Sequence, residues 1–180
     1  MTARADARVD PPLRGSEVDT LLAFLDYHRD TFLGKVSGLD AEQLGRRLAP
    51  STMTLGGMVK HLTLVEENWL SRVLDDVPFS EPWASVDWDA DPDWEWRTGA
   101  TDGPEALLAA YEETVARMDA HIAAALARDG LDTLSVRPSR QDGAGQFSLR
   151  WILLHLVEEY ARHNGHADLI RESIDGQVGE

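Results

Sequence analysis

Hydrophobic positions recur every three or four residues in four stretches of the chain, the period of an amphipathic α-helix with one buried face. The first runs from about Ser16 to Lys35, with Leu21, Leu22, Phe24, Leu25, Phe32 and Leu33 as its apolar stripe. Ser16 suits the N-cap, because its hydroxyl accepts an amide left unpaired in the first turn, and Glu17 and Asp19 suit the positive end. The second runs from about Thr54 to Leu74 and buries Leu55, Met58, Val59, Leu62, Val65, Trp69, Leu70 and Val73. Its Gly56-Gly57 pair costs about 1 kcal/mol of helix propensity per glycine, so close packing or a close backbone approach is expected there. The third helix starts with Asp102 as N-cap and Pro104 in the first turn, and runs to about Arg128 before Gly130 closes it. The fourth opens at Ser148, another N-cap, and ends near Ser173.

Between the second and third helices, from Pro78 to Gly103, the period disappears. Trp83, Trp88, Trp94 and Trp96 stand there among acidic residues. Tryptophans bury large areas when given a surface, so this long connection is expected to be ordered and folded over the helices, either as a packed crossover or as a lid on a ligand pocket. Leu131 to Gln146 reads as a loop, with a short extended piece at Thr133 to Arg137 and no convincing strand partner. Four amphipathic helices joined in this way predict an all-α, four-helix bundle with a long Trp-rich loop between helices 2 and 3. The expected organisation is a flexible tail over 1–15, the bundle over 16–174, and a short polar tail over 175–180.

Charge and composition narrow the function. With 32 acids against 17 bases the chain carries a formal charge of −15, which repels phosphate and argues against nucleic acid as a partner. No apolar stretch is long enough to span a bilayer, and the N-terminus has no apolar signal region, so a cytoplasmic protein without a membrane partner is expected. There is no cysteine. That excludes disulfides, a cysteine nucleophile and thiolate ligands, and leaves imidazole and carboxylate to hold any metal.

The fourth helix supplies both. At about 100° per residue, His155, Glu159, His163 and His166 fall within an arc of roughly 80°. A carboxylate and several imidazoles beside the apolar strip of Ile152, Leu156 and Tyr160 are costly to bury unpaired, and a divalent cation would resolve the cost. His61, near the middle of the apolar second helix, offers a ligand from a second element. Two imidazoles and one carboxylate leave coordination positions open, a set compatible with zinc, nickel, iron or manganese. The alternative is a helix laced with ion pairs that holds no metal.

The run from Thr54 through Gly56-Gly57 to His61, taken with His155-Leu-Val-Glu158-Glu159-Tyr-Ala-Arg162-His163-Asn-Gly-His166, resembles the DinB superfamily. It is most similar to the actinobacterial branch related to mycothiol-dependent maleylpyruvate isomerases. The resemblance implies an up-up-down-down bundle, frequent homodimers, and one divalent metal, commonly zinc or nickel, on His61, Glu159 and His163. His166 stands where many relatives have glutamine, which makes it a candidate on the substrate side, with His155 and Glu158 as further candidates. For activity the resemblance implies transferase or isomerase chemistry with a low-molecular-weight thiol such as mycothiol and an electrophilic substrate. The isomerase's additional C-terminal domain has no room in 180 residues, which turns the expectation away from maleylpyruvate isomerisation itself.

Four functional readings follow. A metal-dependent thiol S-transferase requires an open metal position at the base of a pocket walled by the tryptophan loop. A non-catalytic metal-binding stress-response protein requires an ion that ties the second helix to the fourth. Metal-assisted hydrolysis would use Glu158 as base, and a plain helical interaction module would need no metal. Arg150 and Arg162 are read as surface ion-pair partners or anchors for an anionic ligand, and His28 and His121 as surface or structural residues.

Overall fold

The computed structural model describes residues 8–140 and 145–179. Residues 1–7 of the expected N-terminal tail, and residue 180 of the C-terminal one, lie outside the described residues. The chain is mostly helical. Helix α1 spans Glu17–Val36, α2 is a single turn at Ala41–Leu44, and α3 spans Leu55–Glu67. After α4 at Trp94–Gly99 come the long helices α5, Pro104–Asp129, and α6, Leu149–Asp175. Helix α1 lies along α6, α3 lies along α5, and α3 also touches α6.

Local chemistry accounts for most of the boundaries. The Ser16 hydroxyl accepts from the Asp19 amide, and the Asp19 carboxylate reaches back to the Ser16 amide, a reciprocal cap on α1. The Ser148 hydroxyl accepts from the Trp151 amide at 3.2 Å, and Gly176 closes α6 in the left-handed conformation with φ 79°. Each long helix turns its apolar stripe inward, so that Leu25, Phe32, Leu62, Met118, Leu156 and Tyr160 are almost wholly buried in one core. Burial of each such side chain contributes roughly 1.5–3 kcal/mol. Phe32 meets the edges of Tyr111 and Tyr160 with ring centroids 5.9 and 6.4 Å apart, tying α1 to α5 and α6.

Three details differ from the expectations. First, a strand pair is present: β1, Leu134–Pro138, pairs antiparallel with β2, Gln146–Ser148, with Leu134 opposite Ser148 and Pro138 opposite Gln146. The second strand is only three residues long and runs directly into α6, too short to leave a period in the sequence. Second, the residue capping α5 is Gly103, not Asp102, because the Asp102 carboxylate is taken by Lys60 Nζ at 2.6 Å. Third, α3 does not run as a regular α-helix to Leu74. It widens into a π-helical turn at Asn68–Val73, which carries Trp69.

The tryptophan-rich segment is ordered over the helices, with a 3₁₀ turn at Trp83–Ser85 followed by α4. It is pinned in several places. Glu67, buried at the end of α3, accepts from the Ser80 hydroxyl at 2.8 Å. Lys60 Nζ donates to Thr98 at 2.8 Å and lies 4.0 Å from the centre of the Trp94 ring. The Gly56-Gly57 pair meets α4 backbone to backbone. A Cβ on Gly56 would lie 2.2 Å from the Gly99 carbonyl oxygen, and one on Gly99 would lie 2.5 Å from that of Gly56. This is the close approach that the two glycines foretell.

Candidate metal centre

One face of α6 and the middle of α3 build the site. Residues four apart on a helix stack one turn above the other, so Glu159 sits between His155 and His163. Its Oε1 lies 3.5 Å from His155 Nε2, and its Oε2 lies 3.6 Å from His163 Nε2. Helix α3 presents His61 from the opposite side, with its ring centre 5.0 Å from that of His163. One ligand atom from each of His61, Glu159 and His163 falls within 4.8 Å of the others. The side chains of His61 and Glu159 remain 21% and 19% exposed while His163 is at 8%, so the cluster sits at the edge of the core with a solvent-facing side.

The docking of α4 against the paired glycines brings in two residues that the periodicity could not single out. Glu95 is buried, and its Oε1 lies 3.3 Å from His61 Nδ1. Trp96 stacks on the His61 imidazole with centroids 4.5 Å apart and planes 25° from parallel. A proton on Nδ1 then donates to the carboxylate and leaves the Nε2 lone pair free, which is how an outer carboxylate orients a metal-binding histidine. In the sequence, Glu95 is one acid among many in an irregular segment. Its neighbours Trp94 and Trp96 are the only local sign that it is buried.

The cluster fits a divalent ion on several counts. Two imidazoles and a carboxylate are the donor set of open zinc sites and of related metals. Burial, followed by the proximity of His61, His166 and Arg162, lowers the His163 pKa to about 4. At neutral pH it is therefore the uncharged imidazole that ligates metals. Among the described residues, Glu95 Oε2, His163 Nδ1 and His166 Nδ1 are buried without a hydrogen-bond partner. Orphaned polar atoms of this kind carry a desolvation cost and are rare in folded proteins unless the site has another use for them.

The remaining candidates are distributed as follows. His166 meets the His163 ring with centroids 5.5 Å apart and does not join the three converging atoms. His155 borders Glu159 and stacks on Trp151 at 5.0 Å, while its Nδ1 lies 3.4 Å from the outward-facing Glu158, whose side chain is 63% exposed. Arg150 pairs with Glu17 at 2.7 Å and with Asp132, and Arg162 lies 4.0 Å from Glu158. His121 pairs with Asp75 at 2.6 Å, and His28 Nδ1 lies 3.4 Å from Asn164. These arginines and histidines have their partners within the chain and are not among the three converging ligand residues.

Three cavities among the described residues lie apart from the ligands that a transferase would hold at the base of its pocket. None of those cavities, of about 240, 590 and 480 Å³, is lined by His61, Glu159 or His163. One face of His61 is covered by the Trp96 ring, so the tryptophan segment contributes a wall of the site.

Comparison with known families places the chain. Two imidazoles and a carboxylate, drawn from two helices of a mostly helical protein, form a group that could hold a metal ion. Residues 20–176 match the model of the mycothiol-S-transferase family, and the chain belongs to that DinB-like, mycothiol-related family. A search of curated proteins returned no match. Among the described residues no helix is long and apolar enough to cross a membrane.

Proposed function

We propose that the protein is a metal-dependent S-transferase that joins a low-molecular-weight thiol, mycothiol in this family, to a small electrophile. The observation that carries this reading is the convergence of His61, Glu159 and His163 within 4.8 Å in a chain of the mycothiol-S-transferase family. When bound by these residues a divalent ion, zinc or nickel foremost, supplies Lewis-acid chemistry that favours the thiolate form of the thiol. The chain's own residues set the stage for it. Glu95 holds the Nδ1 proton of His61, and Trp96 excludes water from one face of that imidazole. The thiol proton has a path outward from Glu159 to His155 at 3.5 Å and on to Glu158 at 3.4 Å, which faces solvent. In the net reaction the S–H bond breaks and an S–C bond forms. With a substitution electrophile the leaving group departs with its bonding pair, and the thiol proton passes to solvent.

We read the fold accordingly as an up-up-down-down bundle of the four long helices, a reading supported by the pairing of α1 with α6 and of α3 with α5. A second function is favoured by one observation, the absence of the three ligand residues from the lining of the cavities above. In it the ion serves only to tie α3 to α6, as in a non-catalytic metal-binding protein.

Elemental analysis of untagged protein, alongside His61→Ala and His163→Ala, tests the site. About one ion per chain, lost in both variants, supports it; a parent that holds no zinc, nickel, iron or manganese after dialysis against them overturns it. Metal-dependent loss of mycothiol in the presence of 1-chloro-2,4-dinitrobenzene favours the transferase, whereas a metal-dependent gain in stability without thiol consumption favours the structural tie.

A further inference from the structure

The β-hairpin and the start of α6 enclose a cavity of about 480 Å³ on the far side of His155 from the metal ligands. Three aromatic rings frame it. Phe147 lies 4.6 Å from Trp151 with planes at 40°, and Trp69 lies 5.2 Å from Phe147 and 5.1 Å from Trp151 with planes at 89° and 52°. Leu134 completes the apolar wall, and Gln146 and Ser148 supply its polar edge. Among the described residues, none that lines it is charged. The wall is also wet in part: Trp151 is 43% exposed and Leu134 is 55% exposed. A tryptophan and a leucine left open to solvent beside two further aromatic side chains mark a ligand surface rather than a finished core. The volume lies within the roughly 300–1,000 Å³ typical of small-molecule pockets.

One side chain links the wall of the cavity to the metal ligands. The His155 imidazole stacks on Trp151 at 5.0 Å with planes 19° apart and meets the Trp69 ring at 4.7 Å. Its Nε2 then reaches Glu159 Oε1 at 3.5 Å. A flat molecule lying against Trp151 would therefore rest on a ring that itself stacks on the imidazole bordering the metal ligand. The wall offers π-faces and edges at several angles, and among the described residues that line it none carries a charge, so the matching ligand is planar, aromatic and uncharged.

We propose that this cleft binds the aromatic portion of the electrophilic substrate, with Trp151 and Phe147 as its stacking surface and Leu134 at its mouth. The proposal rests on the transferase reading for the ligand's role, while the binding itself is independent of the metal.

Calorimetric titration of the full-length protein with 2-naphthol, a neutral planar aromatic, and with cyclohexanol as the non-aromatic control is the direct test. The parent should bind 2-naphthol, and cyclohexanol about tenfold or more weakly. Trp151→Ala and the surface change Leu134→Asp should each weaken naphthol binding about tenfold or more, the equivalent of roughly 1.4 kcal/mol. Glu159→Gln should leave it unchanged. No binding by the parent, or equal binding by both variants, overturns the proposal. So does a dimer in light scattering that Leu134→Asp converts to monomer, because a second copy would then cover the cleft. In the thiol-transfer assay, Trp151→Ala should raise KM for 1-chloro-2,4-dinitrobenzene and leave that for iodoacetamide in place. Naphthol binding that responds to the variants in a protein without transferase activity would overturn the functional reading and keep the cleft; activity with unresponsive binding would do the reverse.

Discussion

Two polar clusters share helices α3 and α6 and are built differently. In the core, Glu66 is wholly buried and receives Arg29 through two hydrogen bonds of 2.7 Å, with Tyr160 donating to it at 2.9 Å. The Tyr111 and Tyr160 hydroxyls bond each other at 2.9 Å, and Arg29 also reaches Asp119 at 2.9 Å. Burial, and next the Glu66 charge, push both phenols well above their ordinary range, so they stay protonated. Burial works to lower the Arg29 pKa, and the Glu66 carboxylate outweighs it. Every one of these groups has its partner. The cluster of His61, Glu95, Glu159, His163 and His166 sits nearer the surface, and three of its atoms are buried without a hydrogen bond. A closed network fixes how helices pack; an open one leaves room for something the chain does not itself supply.

The contrast can be broken most directly at Glu66. Glu66→Ala strands the Arg29 charge in the core and is expected to cost about 3–5 kcal/mol, whereas Glu159→Gln in metal-free protein should cost less than about 1 kcal/mol. Urea denaturation of both variants decides it, and equal losses would show that the two clusters are held alike. Next in size is the ion itself. Zinc or nickel at about a hundred times its dissociation constant should stabilise the parent by roughly 2.7 kcal/mol, and should leave the midpoints of His61→Ala and His163→Ala where they were. The outer carboxylate sharpens the comparison further. Glu95→Ala should weaken metal affinity about 10–100-fold in a competition titration, with Glu95→Gln, which still accepts from His61, retaining part of it.

The smallest expected effect is a pH dependence of metal-free stability. His163 has a folded-state pKa of about 4, below its unfolded value of 6.5, so on acidification the unfolded chain takes up the proton first. Its contribution is complete above pH 6.5 and is lost as pH falls toward 4. Moving from pH 7.5 to pH 6 should cost about 1 kcal/mol more in the parent than in His163→Asn. An identical slope in the two would mean that His163 is not held neutral by its surroundings.

Much of the architecture is legible in residue spacing, and the failures have physical causes. Ser16 and Ser148 announce helix starts through a short-range bond to an amide three residues on, which sequence neighbours alone determine. Gly56-Gly57 signals a close approach because nothing else justifies two glycines in an apolar helix. The face carrying His155, Glu159 and His163 follows from helical geometry. Glu95 does not, since a fold-back of the chain over 34 residues places it against His61. The Arg29–Glu66 pair is hidden for the same reason, its members lying on different helices 37 residues apart. Asp102 misleads because a distant lysine competes with the local amide for the same carboxylate. Spacing reports what a residue can reach along its own element; it is silent on which partner wins across the core.

The clamps on the tryptophan segment bear on how the molecule breathes. With Glu67 gripping Ser80, Lys60 gripping Thr98 and Asp102, and two backbones in contact at Gly56 and Gly99, α4 has no free hinge on which to swing. Its amides should then exchange with deuterium at rates close to those of α3, as one cooperative unit, rather than at the rates of a surface loop. A ligand approaching His61, Glu159 and His163 would then come past the exposed edge of α6, with the tryptophan segment in place.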